Sequence, residues 1–391
     1  MQGERTDGPR SVAAAALFAS WREASKHRSQ SESHDIATAH LTNALAQVLS
    51  REPTDTADAL SHRRIDFRRQ LLKDLKSIGS STSPSHSLQA TIQALGLTAR
   101  PIEDEDDFQA ADESADESRR LDVRTAIALG RSQQTLDDIQ ARGRSSIALA
   151  QQGGGWNERA IRRAMEQETL AVPKSWQALA LGVIHRRALD AGQPLDQQDA
   201  SELLLSSLGR RSEPGAAAAI ALGLLNRTDA APRLRQTLQT AQASDEYAAH
   251  LSVALGMLGD WNAAELLDDL LRRSHRRFER RLGAAHGLAL IGDQSVPQQL
   301  FSVSPHLERP TGADASGVLR CLHDIGCVFV VDRLMDWLQD EARPIEFRAQ
   351  TAAALGGIAE PGETRWHEEL RRDLTASGAV PTLHYGVLDL W

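Results

Sequence analysis

A chain of 391 residues with 4% aromatics and two Tyr, rich in Leu and Ala, reads as helical because the long Val/Ile/Thr alternations of strands are missing. Its formal charge of −9 is local: the run from Pro101 to Glu117 holds nine carboxylates and no base, so the rest is neutral and offers no general attraction for nucleic acid or an anionic membrane. No stretch approaches the roughly 18 apolar residues of a membrane helix, and "SVAAAALFASW" is too short and too weakly apolar for a signal peptide, so no membrane span is expected. The expected setting is cytoplasmic, or secreted or periplasmic if a leader precedes this chain.

In chain order, helices are predicted for Ser11 to His27, Asp35 to Leu49, and Asp55 to Ile78, the last stopping at Gly79. "SSTSPSHS" (Ser80 to Ser87) reads as loop, and the acidic run as a solvated linker. The expected divisions are a tail with a possible helix over 1–35, a helical region over 36–99, an acidic linker over 100–120 and a repeat array over 121–391. "ALG" at Ala94–Gly96 and again at Ala128–Gly130 echoes the array, but the region before about residue 121 is irregular.

From there one octet is rewritten: "AIALGLLN" ends at Asn226, "VALGMLGD" at Asp260, "HGLALIGD" at Asp293 and "AAALGGIA" at Ala359. Taking Gly153, His185, Asn226, Gly259, Gly292, Gly326 and Ala359 as equivalent anchors gives spacings of 32, 41, 33, 33, 34 and 33. A near-constant period of this size signals stacked repeats. Four residues before every anchor stands Leu (Leu149, Leu181, Leu222, Leu255, Leu288, Leu322, Leu355), and five before stands Ala148, Ala180, Ala221, Ala254, Gly287, Cys321 or Ala354. The Leu enters a core while its small neighbours let adjacent helices approach closely. The anchors are expected to end helices, with Asp260 or Asp293 capping the next one, in which Leu234, Leu267, Leu300 and Leu334 recur and Pro297 opens a first turn. Each unit is then a pair of antiparallel helices completed by its neighbours.

"RRLGAAHGLALIGDQSVPQQLF" (Arg280 to Phe301) and "EFRAQTAAALGGIAEPGE" (Glu346 to Glu363), with Arg281 and Arg348 eleven residues before their anchors, resemble the short HEAT-like repeats common in bacteria, the PBS-lyase type. Ankyrin units share the period, but their opening is echoed once, by "PTLHYG" (Pro381 to Gly386); tetratricopeptide units want aromatics that these copies lack. The resemblance covers about residues 121 to 391. It implies an all-α solenoid, a superhelix of antiparallel helix pairs, usually a scaffold whose concave second-helix surface holds a protein partner.

Candidate chemistry is sparse. "RRSHRRFERR" (Arg272 to Arg281) sets Arg272, Arg273, Arg276, Arg277 and Arg280 around Phe278, a pattern able to grip phosphate or stack on a base, or simply an exposed turn whose Arg stems cover apolar surface. The acidic run is able to fold back onto it. In "CLHDIGC", Cys321, His323 and Cys327 are metal-ligand types, but Cys321 and His323 diverge by about 200° on a helix, and the buried structural reading is preferred. The "QQGGGW" loop (Gln151 to Trp156) precedes a helix whose N–H groups point outward as in phosphate sites, yet it lacks the Lys-Ser/Thr that follows such loops. His367-Glu368 resembles one metal pair of HEAT-like hydroxylases, which need several.

The sequence therefore leads to a non-enzymatic scaffold binding a protein partner, without cofactor, metal or catalytic residues. The alternatives are binding of nucleic acid or a phosphorylated partner through residues 272–281, and a repeat-family enzyme or enzyme subunit acting on bilins or hydroxylating a protein.

Overall fold

The computed structural model describes residues 9–27, 32–50, 59–78, 86–113, 116–209, 213–240, 244–273, 278–292, 319, 322 and 330–359. Among them the regular structure is entirely helical: α1 (Pro9–His27), α2 (Glu32–Ser50), α3 (Ala59–Ile78), α4 (His86–Thr98), α5 (Asp106–Glu113), α6 (Glu117–Thr135), α7 (Ile139–Gln152), α8 (Gly155–Gln167), α9 (Ala171–Asp190), α10 (Gln198–Ser207), α11 (Glu213–Leu224), α12 (Ala231–Gln239), α13 (Asp245–Met257), α14 (Ala264–Arg273), α15 (Phe278–Ile291), α16 (Val331–Gln339) and α17 (Ile345–Ala359). Helices pack against near neighbours in chain order, the solenoid-like arrangement expected of an all-α repeat chain. No described helix is long and apolar enough to cross a membrane.

The chain divides into two compact units, over residues 1–200 and 201–389. In the first, α2, α4, α7 and α9 pack successively side by side, while α1, α3, α6 and α8 form a second layer in which α1 meets α3, α3 meets α6 and α6 meets α8. The first layer is the more deeply enclosed. Along α4 nearly every residue from Ser87 to Thr98 is buried, and along α9 every residue from Pro173 to His185. In α8, by contrast, one stripe with Ile161, Ala164 and Met165 is buried and the rest faces outward, the pattern of a helix with a single packed side.

The recurrent leucines form the seam. Leu149, Leu181, Leu222, Leu255, Leu288 and Leu322 are fully enclosed, whereas Leu355, beside residues outside the description, is half-buried. Leu95, from the first "ALG", joins them because α4 lies in the same layer as α7. The regular layer thus begins before residue 121, and the 54-residue step from Leu95 to Leu149 reflects the inserted acidic segment and α6. Small residues set the approach: a Cβ placed on Gly96 would stand 2.4 Å from the Ala148 carbonyl oxygen.

Four anchors end helices in the left-handed region, at Gly153 (φ 83°), Asn226 (φ 56°), Gly259 (φ 61°) and Gly292 (φ 102°). His185 does not. It lies buried within α9, which continues to Asp190 and stops at Gly192 (φ 71°), and the extra turns account for part of the long 41-residue step. Asp260 makes no side-chain cap either; its carboxylate pairs with Arg235, and a 3-10 turn at Trp261–Ala263 opens onto α14 instead.

The acidic segment differs from the solvated linker expected. Residues 106–113 are helical, and the stretch is strapped to the first unit by a fully buried Ile102. Ile102 N–H donates to the Gly153 carbonyl (3.3 Å) and its own carbonyl accepts from Trp156 N–H (3.1 Å), while Phe108 packs on Trp156 with ring centroids 5.0 Å apart. Asp107 pairs with Arg119, Glu117 with Arg69, and Asp116 caps α6 by accepting from Ser118 N–H (2.9 Å). Apolar anchors and nearby cations overcome the repulsion within the run.

In the second unit α13 packs between α11 and α15, with α12 and α14 behind them on α13 and α15; α16 packs on α17. Leu234, Leu267 and Leu334 of the second helices are fully buried. Arg348 Nε donates to the Leu338 carbonyl at the end of α16 (2.8 Å), tying the last described pair together. Asp293, Pro297 and Leu300 lie outside the described residues.

Candidate functional site

The Arg-rich turn joins α14 to α15. Arg276 and Arg277 lie outside the described residues, as do the side chains of Arg273 and Phe278. The two described guanidinium groups of the predicted patch are engaged within their own unit: Arg272 Nε meets Asp268 at 2.9 Å and Arg280 Nε meets Asp245 at 3.1 Å. Within the first unit the acidic segment pairs with Arg119 and Arg69. Cys321, His323, Cys327, His367 and Glu368 also fall outside the described residues. Among those described, no group of three or more His, Cys, Asp or Glu is placed to hold a metal ion.

The glycine loop is already occupied. Gly153 and Gly154 hold φ of 83° and 95°, which turns the chain sharply into α8. The N–H of Gly155 donates to Glu103 Oε2 (3.1 Å) and that of Trp156 to the Ile102 carbonyl (3.1 Å). A carboxylate of this chain therefore takes the place that a phosphate takes at other helix N-termini. The arrangement serves packing.

A different site emerges between α3 and α6, two adjacent helices of the second layer. Their relative position is fixed underneath by a fully buried ion pair, Arg68 Nη2 to Asp122 Oδ1 at 2.7 Å. Burial lowers the pKa of Arg68, and the charge and hydrogen bond of Asp122 oppose that effect. Asp122 Oδ1 also accepts from the Arg100 N–H (3.0 Å), and Gln152 Nε2 donates to the Asp122 backbone carbonyl (3.0 Å), so Asp122, through its carboxylate and its backbone together, joins four segments. Nearby, Arg64 grips the Thr98 carbonyl at the end of α4 through Nη2 (2.7 Å) and Nε (3.2 Å).

Above this anchor runs a groove of about 640 Å³. Its floor is aliphatic, from Leu72, Leu75, Leu121, Ile127, Ala128 and Leu136; its rim carries Arg69, Lys73 and Lys76 from α3 and Arg124 and Arg131 from α6, with no carboxylate and no aromatic ring. The helical spacing makes it so. Arg69, Leu72, Lys73 and Lys76 stand at i, i+3, i+4 and i+7, and Leu121, Arg124, Ala128 and Arg131 repeat the alternation along α6.

Arg69 is paired with Asp66 and Glu117; Glu117 has its pKa lowered by the hydrogen bond and charge of Arg69. Lys73, Lys76, Arg124 and Arg131 make no side-chain ion pair or hydrogen bond among the described residues. A second recess of about 420 Å³, between α1 and α3, is instead balanced by Asp66 and Asp74 among its cations. Sequence reasoning passed over the groove because each helix alone reads as an ordinary solvated face. The available signal was Lys73, Lys76, Arg124 and Arg131, cations at helical spacing without carboxylates three or four residues away to pair with them.

No protein-family model matches this chain, and no curated protein sequence matches it either.

Proposed function

We propose that this protein is a non-enzymatic scaffold of HEAT-like repeats that holds a protein partner on its second-helix layer. The observation that carries the reading is the α3–α6 groove, where Leu72, Ile127, Ala128 and Leu136 stay half-buried above a buried ion pair while Lys73, Lys76, Arg124 and Arg131 on its rim make no ion pair among the described residues. Aliphatic surface left partly open among the described helices, ringed by charge, is the composition of a recognition surface. The seam of buried leucines supplies the stiffness such a surface needs, and the leucine register is also what underlies the resemblance to HEAT-like repeats.

A photocrosslinking amino acid placed at Thr135, exposed at the groove, tests this in the cell of origin, with Gln134, exposed on the same helix but outside the groove lining, as the reference position. The expected result is a discrete protein adduct from position 135 that position 134 does not give. No protein adduct from 135, or adducts with nucleic acid in its place, overturns the reading.

A further inference from the structure

We infer that the α3–α6 groove is the receptor for an acidic amphipathic helix of the partner protein, an inference that rests on the scaffold reading above. The lining on α6 runs from Leu121 to Thr135, which at 1.5 Å per residue is a trough of about 21 Å, or four turns of helix. Its two banks are both basic: Lys73 and Lys76 stand on one, Arg124 and Arg131 on the other. A ligand complementary to all of these groups has an apolar stripe with carboxylates flanking it on both sides, which is how a helix presents residues at i, i+3, i+4 and i+7.

Other anionic ligands match fewer of these features. An extended peptide gains its affinity by backbone pairing with a sheet edge, and the groove has helical walls whose backbone groups bond internally. Single-stranded nucleic acid stacks its bases on aromatic rings, and no aromatic side chain lines the groove. Duplex phosphates would use the cations and leave the aliphatic floor unmatched. An acidic helix satisfies both floor and rim. The banks steer its approach and exclude basic helices of the same pattern, while the floor holds it.

The test uses the full chain and two labelled synthetic peptides of about 18 residues (four to five turns), each with Leu on one helical stripe; one carries Glu on both flanks, the other Lys. Fluorescence anisotropy is expected to show saturable binding of the Glu peptide, at least tenfold tighter than of the Lys peptide, and weakening as salt is raised. Lys73→Glu combined with Arg131→Glu changes exposed residues, so folding is unaffected; it is expected to weaken the Glu peptide at least tenfold and to improve the Lys peptide. Leu72→Ala, at a half-buried position of the floor, should weaken the Glu peptide without altering its salt dependence. Equal affinity for the two peptides, binding indifferent to charge reversal, or preferential capture of phosphatidylserine vesicles or of RNA overturns the inference. A protein adduct at Thr135 together with failure of the Glu peptide would remove the acidic helix while leaving the scaffold reading standing.

Discussion

The same tripeptide, Ala-Leu-Gly, occurs at Ala94–Gly96 in α4 and at Ala128–Gly130 in α6, and the two glycines are expected to respond to alanine with opposite signs. Both lie within helices, where replacing Gly by Ala alone stabilises by about 0.5–1 kcal/mol. At Gly130 the nearest atom to an added Cβ is Trp156 Cη2 at 3.9 Å, an ordinary contact, so that gain is retained. At Gly96 the Cβ would fall 2.4 Å from the carbonyl oxygen, 2.6 Å from the Cα and 2.8 Å from the carbonyl carbon of Ala148. All three atoms are backbone, so no rotamer relieves the clash and α4 must separate from α7 by about 1 Å to restore contact distances near 3.5 Å. Overpacking of this kind costs about 3 kcal/mol, the upper part of its usual range, which leaves Gly96→Ala about 2 kcal/mol less stable after the propensity gain. For a unit of this size that lowers the melting temperature by roughly 4–8 °C, while Gly130→Ala raises it by roughly 1–4 °C. Thermal melts followed by circular dichroism, together with urea unfolding, measure both. Shifts of the same sign in the two variants would refute the close approach of α4 and α7 as the reason for the small residues in the seam.

Removing one half of the buried Arg68–Asp122 pair by Asp122→Ala is expected to cost about 3–5 kcal/mol, because an uncompensated guanidinium remains enclosed; a urea midpoint within error of wild type would contradict it. Gly154→Ala combines a φ of 95° with a Cβ 2.1 Å from the Ile102 carbonyl oxygen, so a loss of about 2–4 kcal/mol and faster proteolysis within residues 101–117 are expected. The pH dependence of the acidic segment has a definite sign. Burial raises the pKa of Asp107, but hydrogen bonds from the Glu103 N–H and Arg119 outweigh it, and Glu117 is lowered chiefly by its hydrogen bond from Arg69. Both therefore stabilise docking above their ordinary values of 3.8 and 4.5, and that contribution is lost as pH falls through the lowered native values. The indole resonance of Trp156, which packs on Phe108, should shift as acid is added before the rest of the unit unfolds; loosening on the alkaline side would reverse the argument.

The layer of stacked helices was legible because its signal is local and repeated. Each Leu with small residues beside it reports the same neighbour distance, and six of the seven predicted leucines are fully enclosed. Helix ends were legible where a glycine marks them, as at Gly259 and Gly292, and misplaced at His185, where the packing register continues but Gly192, seven residues later, carries the stop. The acidic segment misled through its composition. Nine carboxylates hid two decisive apolar residues, Ile102 and Phe108, whose partners around Gly153 and Trp156 lie about fifty residues away. The groove was hidden for the same reason: Lys73 and Arg131 share a trough only because a buried ion pair joins α3 to α6, and no pattern within either helix announces that pairing.

The order in which helices pack also bears on how the chain acquires its structure. Among the described residues, every substantial helix–helix contact joins elements no more than three helices apart, so each needs only a modest stretch of chain to have been synthesised before it forms. Because α2 and α4 can meet before α7 has emerged from the ribosome, this contact order is compatible with assembly from the N-terminus during translation, each arriving helix packing on helices already made. Residues 101–117 then act late in that sequence, since Ile102 must wait for the loop at Gly153 and Trp156 before it has anything to bind.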